Sequence, residues 1–160
     1  MVLLVVAACA GIVVGLSYLR DRRTATPADL LEYLPPEQAV VLGVDLAALR
    51  SNGILEALGG SKMEREPEYV SFVAGTGFDY QQDLDYAVAW IGNGTTLMLL
   101  RGRFDWGKLR DYAAAQGGVC RNSFCRMEGS TPDRSVSFFP LRRDVMALGV
   151  GPDDWAASRL

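Results

Sequence analysis

The chain of 160 residues contains no histidine. That absence removes imidazole acid–base catalysis, Ser-His and Cys-His nucleophile pairs, and every zinc site that needs an imidazole ligand. Lysine is nearly absent too. Lys62 and Lys108 are the only two, which leaves few places to build a Ser-Lys or Schiff-base enzyme. Excess positive charge is also missing: the net charge is −3 and the pI about 5.0, the wrong balance for gripping a phosphate backbone. With 49% hydrophobic and 22% charged residues, neither a disordered nor a collagen-like chain is expected. What remains is about one folded domain's worth of chain.

The first feature present is an almost unbroken apolar run from Val2 to Leu19, closed by Arg20, Asp21, Arg22 and Arg23. As a helix it would extend about 27 Å, close to the thickness of a hydrocarbon core, with Tyr18 at the interface. A buried core helix would show a polar face, and this run has none. Residues 1–23 are therefore expected to be a transmembrane anchor or an uncleaved signal segment, with residues 2–19 meeting the membrane. Val6-Ala7-Ala8-Cys9 reads like a lipobox, but no basic residue precedes it, as a signal peptide requires. A retained helix accounts for the whole run, and Cys9 then serves as a small apolar residue in the span. The three arginines after the run, taken alone, place the body in the cytoplasm by the positive-inside rule.

Residues 24–160 form the expected body, read as the N-terminal part of a longer protein. Three of the 16 basic residues and one of the 19 acidic ones lie before it, so the body carries a net −5. Such a body should bind neither nucleic acid nor anionic lipid. Thr26-Pro27-Ala28-Asp29 starts a helix that ends before Pro35-Pro36. Ala39 to Leu46 is a nearly continuous apolar run of strand length, suited to a strand buried on both faces. Asp45 caps a helical stretch broken at Ser51-Asn52-Gly53 and resumed to Gly59-Gly60, and Glu66-Pro67 opens another that stops at Gly75-Thr76-Gly77.

Tyr86 to Gly92 and Thr95 to Arg103 read as strands joined across Asn93-Gly94. Asp105 caps a helix to Gln116, and three short strands follow, near 119–127, 135–141 and 144–150. Pro152 to Leu160 resembles the first turns of a helix. The pattern predicts an α+β fold: an N-terminal transmembrane helix, then a largely antiparallel sheet with helices on one face.

Candidate chemistry is sparse. Gly102-Arg103-Phe104-Asp105-Trp106-Gly107-Lys108 has the spacing of a phosphate loop. Leu109 stands where Ser or Thr should hold magnesium, and Asp105 as a helix cap accounts for the same residues. Asp79, Asp83 and Asp85 cluster without the spacing of a calcium loop and read as caps and turn residues. Asn93-Gly94-Thr95 is formally a glycosylation sequon but reads as turn chemistry.

Cys120 and Cys125 flank Arg-Asn-Ser-Phe. A two-residue turn at Asn122-Ser123 would place them opposite each other, in disulfide range. Free thiols and a metal site with further ligands are the alternatives. A disulfide there favours a body outside the cytoplasm, against the arginine asymmetry, and that is the location expected.

Several stretches together resemble a bacterial family of unknown function, comprising single-pass or lipoprotein-like envelope proteins. They are Leu34-Pro35-Pro36 before Val41-Leu42-Gly43-Val44-Asp45, Leu49-Arg50, Gly75-Thr76-Gly77-Phe78-Asp79 with Asp83-Leu84, and Arg101-Gly102-Arg103-Phe104-Asp105. The resemblance covers most of residues 30 to 155. It implies an extracytoplasmic domain behind an N-terminal anchor, usually in longer chains, and brings no catalytic residues. The expected function is a non-enzymatic interaction or structural module of the cell envelope, with no cofactor and no metal. The alternative is a small-ligand-binding module with a pocket lined by Trp90, Tyr86 or Phe138.

Overall fold

The structure, a computed structural model, describes residues 25–59, 66–129, 131 and 133–160. The apolar run 2–19, Cys9 and Lys62 lie outside the described residues. No helix among the described residues is long and apolar enough to cross a membrane.

The fold is α+β. Seven strands form one antiparallel sheet in the order β1-β2-β3-β7-β6-β5-β4. They are β1 (Val40–Asp45), β2 (Leu84–Gly92), β3 (Thr95–Gly102), β4 (Val119–Arg121), β5 (Phe124–Glu128), β6 (Ser135–Arg142) and β7 (Val145–Gly151). The helices are α1 (Pro27–Leu31), α2 (Leu46–Ser51), α3 (Ile54–Gly59), α4 (Pro67–Thr76), α5 (Tyr80–Asp83) and α6 (Trp106–Ala115), with a 3-10 turn at Ala156–Arg159.

Local chemistry sets most of the boundaries. Thr26 accepts from Asp29 N at 3.2 Å and Asp29 accepts from Thr26 N at 2.8 Å, a capping box with Pro27 at the first helical position. The bond from the Thr26 amide, and then the interaction of its hydroxyl with the carboxyl, hold Asp29 below its ordinary range. Asp45 and Asp105 cap α2 and α6 by accepting from Ala48 N and Lys108 N. β2 and β3 turn at Asn93-Gly94, both with positive φ (51° and 73°), the backbone a two-residue hairpin demands.

Alternation along the strands divides the core into two layers. Val88, Trp90, Leu97, Leu99, Val145 and Ala147 point to one face, where Ala25, Leu30, Leu34, Ala156 and Leu160 cover them. Cys125, Phe138, Met146 and Leu100 point to the other, beneath Leu109 and Ala113 of α6, Phe72 of α4 and the cluster of Leu46, Leu55 and Leu84. The expectation of helices on one face is thus corrected: α1 and the 3-10 turn occupy the second face. Two ties hold α1 there, Arg101 donating to Ala25 O (2.7 Å) and Ala25 N donating to Asp144 (3.2 Å). The 3-10 turn rides so close to β7 that a Cβ on Gly149 would stand 2.4 Å from Ala157 N, while that amide donates to the buried Ser137 hydroxyl at 3.0 Å.

A larger correction concerns β1. The run expected to be buried on both faces is an edge strand, and all six of its residues are exposed. Among the described strands it pairs with β2 alone, in register from Val40↔Ile91 to Asp45↔Tyr86.

Candidate functional site

Position at the sheet edge makes β1 the principal candidate. Val40, Leu42 and Val44 share one sheet face, in register with Ile91, Ala89 and Ala87, and Val41 lies on the other beside Trp90. Val40, Val41, Leu42, Val44 and Ile91 retain between 43% and 59% of their accessible surface. No described strand pairs with the outer side of β1. A free edge offers a row of backbone donors and acceptors that another strand can complete, with alternate side chains for specificity.

The devices that usually blunt such an edge are missing from β1: it has no lysine, no proline and no register shift. Its only charged residue, Asp45, is turned into the cap of α2. The strand is also held firmly in place. Arg50 of α2 donates to Leu84 O at 2.6 Å and pairs with Asp85 at 3.5 Å, tying the end of β1 to β2.

The polar clusters singled out in the sequence are engaged in structure-building contacts. Asp79 accepts from Tyr69 Oη and Gln81 N, each at 2.9 Å, and so caps α5. Burial, reinforced by the bond to Asp79, pushes the Tyr69 phenol well above its usual range and keeps it a donor. Asp83 accepts from Arg103 Nε and Nη2 and from Asp79 N. Asp85 is the partner of Arg50. In the phosphate-loop spacing, Asp105 occupies the Lys108 amide at 3.1 Å, and the Lys108 ammonium lies 4.0 Å from the same carboxylate. Gly102 is required there by backbone proximity, since a Cβ would fall 2.3 Å from Asp83 O.

Trp90, Tyr86 and Phe138, each offered by the sequence as a possible pocket lining, do not share one pocket. Trp90 and Tyr86 point to one face of the sheet and Phe138 to the opposite one, so the sheet separates them. Trp90 is core, with the Arg159 guanidinium 5.3 Å above its ring. Open grooves among the described residues lie elsewhere. One of about 400 Å³ is lined by Arg126, Glu128, Arg134, Ser135 and Asp154; Arg126 pairs with Asp154, which also accepts from the Ser135 hydroxyl. The Ser135 bond, and then Arg126, hold the Asp154 carboxyl below its ordinary range. Another, of about 200 Å³, lies beside Thr76, Asp83, Arg103 and Lys108.

At the far edge, β4 and β5 are a hairpin turning at Asn122-Ser123, with φ of 48° and 71°. Cys120 and Cys125 face each other across it, their Cα atoms 4.1 Å apart, and are joined in a disulfide whose Cys125 end is fully buried in the α6-side core. Sequence reasoning missed a stack beside this hairpin. Phe124 lies between Phe139 (5.8 Å) and the half-exposed Trp155 (5.0 Å). No local spacing connects those three rings.

Comparison with protein-family models, with curated proteins and with solved structures finds no match for the chain.

Proposed function

We propose that this protein is a membrane-anchored bacterial envelope module, of the kind its sequence resembles. Its apolar segment 2–19 lies in the membrane, its α+β body stands outside the cytoplasm, and it works by joining another polypeptide rather than by catalysis. The observation that carries the reading is the β1 edge: Val40, Leu42 and Val44 with Ile91 of β2 on one sheet face, and Val41 on the other, are left about half exposed, and no described strand pairs with the outer side of β1. Contiguous apolar surface of that kind marks a contact site. Near the grooves, Arg126 with Asp154, Arg103 with Asp83 and Asp105 with the Lys108 amide are engaged in ion pairs and a helix cap, which supports the same reading. The Cys120–Cys125 bond supports the extracytoplasmic side, since such bonds persist where no thiol pool reduces them.

The experiment has two arms, both on the full chain in cells. A photo-reactive phenylalanine analogue replaces Leu42 or, for comparison, the exposed Ala114 on α6. Polypeptide adducts at position 42 and none at 114 are expected; no adduct at 42 overturns the interaction reading. In a Cys9→Ala chain, a membrane-impermeant maleimide should label Cys120 and Cys125 only after reduction, and without opening the inner membrane. Labelling that needs no reduction but does need permeabilisation overturns the extracytoplasmic placement.

A further inference from the structure

We infer that the polypeptide met by β1 is a second copy of this chain, paired antiparallel about a two-fold axis through Leu42, so that the two sheets become one. This rests on the reading of β1 as an interaction edge and names its occupant.

Register decides how two copies of β1 can pair. In an antiparallel pair related by a two-fold perpendicular to the sheet, residues directly opposite each other point to the same face. Side chains alternate with period two, so the axis must pass through a residue rather than between two. Two centres use most of the strand, Leu42 and Gly43.

Centred on Leu42, the strand is its own complement. Leu42 meets Leu42, Val40 meets Val44 and Val44 meets Val40 on one face, while Val41 meets Gly43 on the other. Every opposed pair from 40 to 44 is apolar or glycine, and β-branched and aliphatic cross-strand pairs stabilise a ladder. Each copy is negatively charged, yet no charged side chain enters this ladder. Centred on Gly43, Val41 instead faces Asp45, the carboxylate that caps α2, and the central pair becomes two glycines. The first register is preferred.

The opposite edge explains why the assembly stops at two. β4 has three residues, bears Arg121 and is closed by the disulfide-bonded hairpin, so it offers β1 no six-residue template. Head-to-tail growth is thereby blocked, whereas β1 against β1 is a closed, isologous contact. One strand pair buries less than the roughly 800 Å² per partner of a standard interface, which places it among weak, reversible contacts.

The test uses the full Cys9→Ala chain in detergent under mild oxidation. Directly opposed Cα atoms lie about 4.5–5.5 Å apart, within disulfide reach. Leu42→Cys should therefore link to itself. Val40→Cys should not, because its own copy lies about 14 Å along the pair; mixed with Val44→Cys it should link. Leu42→Lys should weaken dimerisation at least tenfold in sedimentation equilibrium. Leu42→Cys linking no more than Ala114→Cys overturns the two-fold pairing. If that happens while the photo-probe at 42 yields adducts of a mass other than twice the chain, the second copy is excluded and the interaction edge stands. If neither probe reports contact, both fall.

Discussion

The two glycines of the Gly102-to-Lys108 loop separate a phosphate-binding loop from a structural one, because they make opposite predictions for stability. At Gly102 an added Cβ would stand 2.3 Å from Asp83 O and 3.2 Å from both Asp83 C and Leu84 Cα, all backbone atoms. Asp83 O cannot retreat freely, since it accepts from Arg103 N at 2.9 Å. Overpacking of this kind costs about 1–3 kcal/mol, and losing the hydrogen bond about 1 more. Gly102→Ala should therefore destabilise by about 2–4 kcal/mol. At roughly 4 °C per kcal/mol for a domain of this size, that lowers Tm by about 8–16 °C. At Gly107 the added Cβ meets only Asp105 Oδ1, at 3.3 Å, and the residue lies in the first turn of α6, where alanine gains up to about 1 kcal/mol. Gly107→Ala should thus shift Tm by no more than about 4 °C. Thermal unfolding of the full chain in detergent, followed by tryptophan fluorescence, measures both. Equal losses at the two positions would refute the account of Gly102 as a point of close backbone approach.

The disulfide closes a loop with a sequence separation of 5 residues, for which chain entropy gives about 2 kcal/mol; urea unfolding with and without reductant should differ by that amount, and identical curves would show that the thiols are unpaired. Asp154 and Asp29 are both held below their ordinary value of 3.8, so their contributions are complete above that pH and fade as it falls further. Acid titration of Asp154→Asn should accordingly show a shallower loss of stability below about pH 4 than the parent chain, and an unchanged slope would refute the assignment. Leu99→Ala, in the fully buried layer, should cost about 2–5 kcal/mol, whereas Leu42→Thr on the open edge should cost about 1 or less in the monomer; comparable losses would mean that β1 is buried in solution.

Features legible in the sequence were those decided within a few residues. The Thr26 capping box, the Asp45 and Asp105 caps, and the Asn93-Gly94 hairpin depend on atoms three or four positions apart at most. Sheet order depends on pairings far along the chain: β3 meets β7, with Leu97 opposite Gly149. The short α5 has no sequence signature because four residues carry no period; its cap, Asp79, is legible as a cap or turn residue, but the helix it caps is not. Nothing in Pro27–Leu31 says which face of the sheet Leu30 will cover; Arg101 and Asp144 decide that by holding Ala25. For the same reason no spacing could show that Trp90 and Phe138 lie on opposite faces, since their strands join through β3 and β7.

The misreading of β1 has the most physical content. A continuous aliphatic run is the signature of a strand covered on both faces, and hydrophobicity alone does not distinguish a central strand from an edge. Burying a Val, Leu or Ile side chain fully is worth about 1.5–3 kcal/mol, so one left half exposed forgoes about 1 kcal/mol. Four such residues on β1 leave about 4 kcal/mol unclaimed, comparable with the whole margin of a modest domain. The fold does not depend on that term, because Val88, Leu97, Leu99, Val145 and Ala147 are completely buried without it. A strand added at the edge would cover part of that surface from the side and would satisfy the outward backbone groups that no described strand meets. On the pairing proposed for β1, residues that look like core in the sequence would be core of a sheet larger than one chain supplies.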